Sequence, residues 1–460
     1  MTPMRFPSRR EALYRASCGF GYLALAGLSA QDGLAAGRSP NPLAPRPSHF
    51  PARAKRVIFL FMQGGPSHHE TFDYKPELIR LDGKPAGGIY PGGRSKEKLL
   101  GPRFDFAPRG ISGLMISDLY PHLAQHADDL CVLNGMHTDN PAHAQATIML
   151  HTGSINFVRP SMGAWITYGL GTLSENLPGF VTINPATNVG GAQNYGAAFL
   201  PATYQGARAR AGRDSIRDIR NPEMARGDQR RQLDLVQSLN RSLLERVEGN
   251  PELEGVIESY ELAFRMQFAA PEVMDISREP APVRRLYGLD RKVTEGFGTQ
   301  CLMARRLAEA GVRFIQVTHR GWDQHNNLTN RLAENCAQTD QPIAALLSDL
   351  KERGLLDDTL VLWGGEFGRS PDGQGPDGRR HNNRGYSMWM AGGGVRGGVR
   401  YGATDPLGAV AVEDKMHTHD LHATILHLLG IDHTKLTYRY AGRDFRLTDV
   451  YGDVARGVLG

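Results

Sequence analysis

Arg56-Val57-Ile58-Phe59-Leu60-Phe61-Met62 runs straight into Gln63-Gly64-Gly65-Pro66-Ser67-His68-His69-Glu70-Thr71-Phe72-Asp73. A short apolar run closed by glycine and proline reads as a fully buried strand, with the polar cluster beginning where the strand must end. The same order recurs at Leu130–Leu133 before the segment Met136–His143, at Arg313–Thr318 before His319–Asn327, and at Leu360–Trp363 before Gly364–Arg369. Parallel strands joined by helices carry their ligand sites at the carboxyl edge of the sheet, so these His- and acid-rich segments are expected to meet in space. What they would form is a metal site.

Further strands are expected at Phe180–Ile183 and Met388–Met390, with helical segments between most of the strands. The 460 residues would by length alone suggest about three domains, yet these strands describe one large sheet. The fold class is therefore α/β: a mostly parallel sheet flanked by helices, with a helical insertion. We expect a single domain over residues 55–455, preceded by an extended lead-in over 37–54 that holds Pro40, Pro42, Pro45, Pro47 and Pro51. Residues 185–300 form the insertion. Its first part, to about 230, is rich in Gly, Asn and Arg and reads as a surface excursion, and Arg230–Val247 and Leu253–Gln267 have the apolar spacing of helices.

The net charge of +5 comes from dispersed Lys and Arg without a run of like charge, which argues against a nucleic-acid partner. Ser8-Arg9-Arg10, an apolar stretch from Cys18 to Ala30 and the small residues Gly33-Leu34-Ala35-Ala36 match a twin-arginine export signal over residues 1–36. Export to the periplasm or cell exterior is expected, with no stable membrane span once the signal is gone. Cys131, Cys301 and Cys336 would remain, an odd number without CxxC spacing, which argues against a disulfide framework and a thiolate zinc site.

Asp323 and His325, two residues apart just past a strand, offer a carboxylate and an imidazole to a divalent cation, with Asn327 as the rival of His325. The other reading makes Asp323 a helix cap and His325 a solvated loop residue. Glu366 arrives at the same edge on a glycine turn, as a ligand or as the partner of Arg369. Arg379, Arg380 and His381 precede the next strand, where the arginines would hold an anionic substrate or lie in solvent. Ser67 beside His68 is a hydroxyl with a nearby base, and His69 and Asp73 complete that cluster. His137, Asp139 and His143 form the second cluster, and His419 stands at a helix entrance as a ligand or as support for one.

The phrases FMQGGPSHHETFD from Phe61, GWDQHNN from Gly321, GEFGRSP from Gly365, MAGGGVRGG from Met390, YGATD from Tyr401, HDLHATILHLLGIDH from His419 and GRDFRLTDV from Gly442 resemble an exported bacterial family of sulfatase-like proteins of unknown function, within the alkaline phosphatase superfamily. The resemblance spans nearly all of residues 55–453. It implies an alkaline-phosphatase/sulfatase-like fold whose relatives hydrolyse or transfer phosphate and sulfate esters with the help of a divalent ion, here Ca, Zn, Mn or Mg. Asp323 and His325 resemble the superfamily's aspartate-plus-histidine metal motif, and His381 the later histidine that completes it. Glu366-Phe367-Gly368 stands where relatives have Asp-His-Gly or Asp-Asn-Gly, and Phe367 cannot bind a metal, so one complete ion site is implied rather than two. Gln63 stands where relatives end the first strand with aspartate.

His143–Gly153 resembles the sulfatase segment that ends in Leu-Thr-Gly and puts His143 near the nucleophile position. The pattern CxPxR is missing, so a formylglycine sulfatase is not expected. Ser67 or a metal-activated water would then attack the ester. The expected function is an exported metal-dependent hydrolase of phosphate, sulfate or related anionic esters, on a small molecule or a glycan. The alternative is a catalytically silent sulfatase-like fold that binds an anionic glycan or a protein partner.

Overall fold

Along β1 (Arg56–Gln63) every residue is buried, and successive side chains serve opposite faces of the sheet. Val57, Phe59 and Phe61 enter one apolar core, whereas Ile58, Leu60 and Met62 enter the other. A strand covered on both faces needs the unbroken apolar run that the sequence shows. The computed structural model describes residues 42–90, 92–211, 219, 223–246 and 251–460; the export segment expected over residues 1–36 lies outside them.

The sheet is built from β1, β2 (Leu130–His137), β3 (Phe180–Ile183), β4 (Ala207–Ala209), β5 (Phe314–Arg320) and β6 (Thr359–Gly364). A hairpin of β7 (Gly368–Gly373) and β8 (Arg379–Asn382) stands outside it, before β9 (Tyr386–Ala391), β10 (Val399–Tyr401) and the short β11 (Met416–His417). The order across the nine strands is β10-β2-β9-β6-β1-β5-β3-β4, with β11 paired to β2. Only β9 runs against its neighbours, pairing antiparallel with both β2 and β6. The result is a mixed α/β structure with a mainly parallel central sheet.

Helices cover both faces. On one side lie α5 (Glu295–Glu309) and α6 (Leu328–Glu352), through residues such as Leu302 and Ile343. On the other lie α2 (Met162–Leu170) and α7 (Thr418–Leu428), through Trp165 and Ile425. Between β2 and α2 runs α1 (His143–Thr152), and between β4 and α5 run α3 (Arg226–Arg246) and α4 (Pro251–Met274).

Register decides what meets at the carboxyl edge. Gln63 at the end of β1 is level with Arg320 at the end of β5, and Phe61 is level with Gly364 at the end of β6. The segments that leave these strands therefore emerge side by side. Gly64 makes one close approach between them: its φ is +122°, and a Cβ there would lie 2.6 Å from the Asp323 backbone nitrogen. No helix among the described residues is long and apolar enough to cross a membrane.

Candidate metal centre

His143, Asp323, His325 and His381 each present one ligand-type atom, and these atoms all lie within 4.8 Å of one another. His143 opens α1, Asp323 and His325 lie between β5 and α6, and His381 is on β8, so three separate chain segments supply the group.

The three imidazoles are held alike. His381 Nδ1 lies 2.7 Å from the Pro141 carbonyl, His325 Nδ1 is 2.7 Å from Gln374 Oε1, and His143 Nδ1 is 2.6 Å from Glu366 Oε1. Each acceptor is an oxygen without a proton to give, so each ring donates from Nδ1 and turns its Nε2 lone pair inward. His325 Nε2 and His381 Nε2 stand 2.9 Å apart, and Asp323 Oδ1 is 3.0 Å from the first and 3.3 Å from the second. Two lone pairs at that separation repel unless a proton or a cation lies between them. His143 Nε2 lies 3.2 Å from Asp323 Oδ2, close enough to attract but without hydrogen-bond geometry, and this buried nitrogen has no hydrogen-bond partner. Three inward imidazole nitrogens and one carboxylate, with outer oxygens fixing each ring, suit a borderline divalent ion.

Burial works against charge on His143, but the carboxylates of Asp323 and Glu366 prevail and push its pKa up to about 9. Burial likewise opposes ionisation of Asp323, and is outweighed by the nearby imidazoles of His143 and His381 and by the Arg369 charge, which hold the carboxyl well below its usual range. Burial pulls His325 below its ordinary value. Phe367 forms an apolar wall, its ring centroid 4.5 Å from that of His381 and 4.8 Å from that of His143.

Glu366 lies behind this group rather than inside it. Its buried carboxylate accepts from the Gly64 N–H at 3.0 Å as well as from His143. Arg369 does not pair with Glu366; its buried guanidinium donates to Asp323 Oδ1 at 2.7 Å and to the Gly65 carbonyl at 2.9 Å, so it fixes a ligand and is not offered to substrate. Arg380 is also engaged, 2.6 Å from Glu97 and 3.2 Å from Asp372. Asn327 stands at the start of α6 with φ +48° and accepts from Asn330, leaving the centre to His325.

The first cluster is structural. The Ser67 hydroxyl donates to Glu70, whose carboxylate forms a wholly buried pair with Arg379 at 2.5 Å, so this hydroxyl is enclosed in an ionic network instead of facing an ester. His68 Nε2 bonds the Gly408 carbonyl at 2.8 Å and His69 Nε2 that of Arg369 at 3.0 Å, and burial lowers both pKa values. Asp73 is taken by Lys75 and Asn134, each at 2.9 Å. The three cysteines among the described residues are buried, and burial pushes the Cys131 thiol up to about 12, so none of these offers a thiolate.

His137, Asp139 and His419 gather elsewhere, in a cleft of about 820 Å³ beside His417 and His433. His417 Nε2 is 3.2 Å from Asp139, and His419 Nε2 bonds the Gly153 carbonyl at 2.9 Å. Sequence reasoning passed over Pro141 and Gln374, which set the ring orientations; Gln374 sits in the turn of the β7–β8 hairpin, where nothing in the residue type points to the role.

A family model described as "Protein of unknown function (DUF1501)" matches residues 54–459. No curated protein matches the chain. Among solved structures, the lipoteichoic acid synthase LtaP from Listeria monocytogenes is 10% identical, with 89% of this chain and 78% of that one covered and a TM-score of 0.37. A protein of the alkaline phosphatase superfamily from Vibrio parahaemolyticus is 11% identical, with 85% and 70% covered and a TM-score of 0.34. The C-terminal periplasmic domain of EcEptC from Escherichia coli, in complex with Zn, is 11% identical, with 84% and 87% covered and a TM-score of 0.35.

Proposed function

The chain belongs to the DUF1501 family of proteins of unknown function, and from that premise we propose that it is a metal-dependent hydrolase of anionic esters, phosphate or sulfate, acting at His143, Asp323, His325 and His381. One observation carries the reading: the Nδ1 atoms of all three histidines are tied to outward oxygens while their Nε2 atoms converge on one carboxylate. That arrangement directs three half-buried rings at a single point, where a cation would satisfy all three. Three imidazoles favour zinc or a similar borderline ion over Ca or Mg. A divalent ion so held supplies positive charge for an ester oxygen and acidifies water toward a pKa of about 7.

The chain's own residues do the rest. Asp323 and the three rings fix the ion, Glu366 and Arg369 orient His143 and Asp323, and Phe367 keeps one side of the centre apolar. Among the described residues no cysteine thiol reaches the centre, and Ser67 is enclosed, so water is the attacking group in this proposal. Export by the twin-arginine route belongs to the same reading, resting on Ser8-Arg9-Arg10; replacing both arginines by lysine should hold the protein in the cytoplasm.

The test begins with metal analysis of natively purified protein. A stoichiometric ion is expected, with chelation abolishing turnover of aryl phosphate or aryl sulfate and the ion restoring it. Protein that purifies natively without metal, or turnover indifferent to chelation, removes the reading. Phe367 in the place of a ligand favours a second reading, a silent fold that binds an anionic glycan or a protein. Saturable binding without turnover across an ester panel, unaffected by Asp323→Ala, would select it.

A further inference from the structure

The metal centre opens into a cleft of about 460 Å³ bordered by Gln63, Thr187, Arg320 and Asp323. Thr187 and Arg320 also border a larger hollow of about 940 Å³, so the two form one trough. The hollow continues to Arg208 and Arg210 on and just beyond β4, the edge strand of the sheet. Its wall carries three arginines, Arg208, Arg210 and Arg320, and no carboxylate. Arg320 donates to the Pro185 carbonyl at 2.7 Å, and Arg208 and Arg210 have no carboxylate partner among the described residues. Unpaired guanidinium groups facing a concave wall concentrate anions there.

A second feature of the same wall concerns neutral groups. Gln63 Oε1, Gln300 Oε1 and Thr318 Oγ1 are buried without hydrogen-bond partners, and Gln63 and Thr318 are only 8% and 3% exposed. Buried acceptors left unpaired cost free energy, and a rotation of these side chains toward the trough would let a ligand rich in hydroxyl groups satisfy them. Arg208 also lies over the Tyr195 ring, 5.8 Å from its centroid, which holds the guanidinium in place. From β5, which the Asp323 loop follows, to β4 is two strand spacings, or about 10 Å. A simple aryl ester at the metal would leave that distance empty.

We propose that the trough binds a linear oligosaccharide bearing at least two anionic groups, one ester at the metal centre and a second held by Arg208 and Arg210. Hydroxyl groups of the intervening sugars meet Gln63, Gln300 and Thr318. This rests on the reading of the centre given above for the identity of the first ester, but the arginine subsite stands on its own residues.

The experiment is calorimetric titration of the metal-loaded full chain with a panel of sulfated and phosphorylated hexasaccharides, their neutral counterparts, inorganic sulfate and hexathymidylate. At least one anionic hexasaccharide is expected to bind 10-fold or more tightly than its neutral counterpart, inorganic sulfate and hexathymidylate. The sulfated and phosphorylated arms identify the anion. Arg208→Gln/Arg210→Gln is expected to weaken that binding at least 10-fold while metal content and Tm stay unchanged. The proposal is overturned if no anionic hexasaccharide outcompetes inorganic sulfate, if hexathymidylate binds as well, or if the double variant binds as the parent does. Metal content of Asp323→Asn is measured in parallel. Full metal retention there would count against the centre, whereas an arginine effect persisting in that background would still support the subsite.

Discussion

His143 Nδ1 donates to Glu366 Oε1 across 2.6 Å, and the carboxylate that accepts has no exposed side-chain surface at all. A buried carboxylate behind an imidazole fixes the ring's tautomer and raises its strength as a ligand. Glu366→Gln keeps the volume and removes the charge. It should lower metal affinity by about 10- to 100-fold with little change in fold, read by competition against a chromophoric chelator. Unaltered affinity would show that Glu366 only fills space.

Asp323 faces two ways, toward the imidazoles and toward the buried guanidinium of Arg369 at 2.7 Å. Asp323→Ala removes the counter-charge of a guanidinium that cannot reach water, and should cost about 1–3 kcal/mol of stability as well as the ion. Asp323→Asn still offers Arg369 an acceptor, so it should lose most of the metal with a stability change under about 1 kcal/mol. Denaturation of the two metal-free variants separates the roles; equal losses would mean that the acceptor oxygen kept by asparagine does nothing for Arg369 and that any loss comes from the charge, which both variants lack.

The carboxyl-edge strands were legible because each one is a closed apolar run with glycine after it, and runs such as Val57–Met62 can be buried only inside a doubly covered sheet. Asp323, His325 and His381 were legible as ligand types near strand ends. His143 was singled out for a different role, near the nucleophile position, and the structure groups it with those three. What the sequence hid was orientation. His68 and His69 have the same composition as the ligand segments, yet both rings point into backbone carbonyls. Residue type reports what a side chain can bind, whereas the direction it faces depends on partners such as Pro141 and Gln374 that carry no signature of their own.

With His143 pushed up to about 9 from an ordinary 6.5, metal-free protein carries a proton on this ring at neutral pH. The folded pKa is the higher one, so the stabilisation is fully present below about 6.5 and is lost as pH rises through about 9. Its size should be about 1–2 kcal/mol once solvent around the partly exposed ring is counted. The Tm of chelated protein should therefore fall between these pH values, and His143→Asn should flatten that fall. Metal uptake must expel the Nε2 proton, so about one proton per ion should be released near pH 8 in a weakly buffered titration. Uptake without proton release would remove His143 from the ligand set.

Gly64 tests the close approach on which the centre depends. With φ at +122° and Asp323 N only 2.6 Å from where a Cβ would stand, Gly64→Ala strains its own backbone and pushes the Asp323 loop away from the end of β1. Gly83 has φ +74° and nothing within 4 Å of its Cβ position, so Gly83→Ala meets only the conformational cost, about 1–2 kcal/mol. The same substitution at Gly64 should cost more than this by about 1–3 kcal/mol, because a clash with backbone is added and no flexible side chain can yield. It should also weaken metal binding, since Gly64 N–H donates to the Glu366 carboxylate that holds His143. The pair of variants is compared by chemical denaturation and metal titration. A Gly64→Ala protein that binds the ion normally would mean that the loop can shift without disturbing Asp323, and that the contact between β1 and the Asp323 loop does not set the position of the ligands.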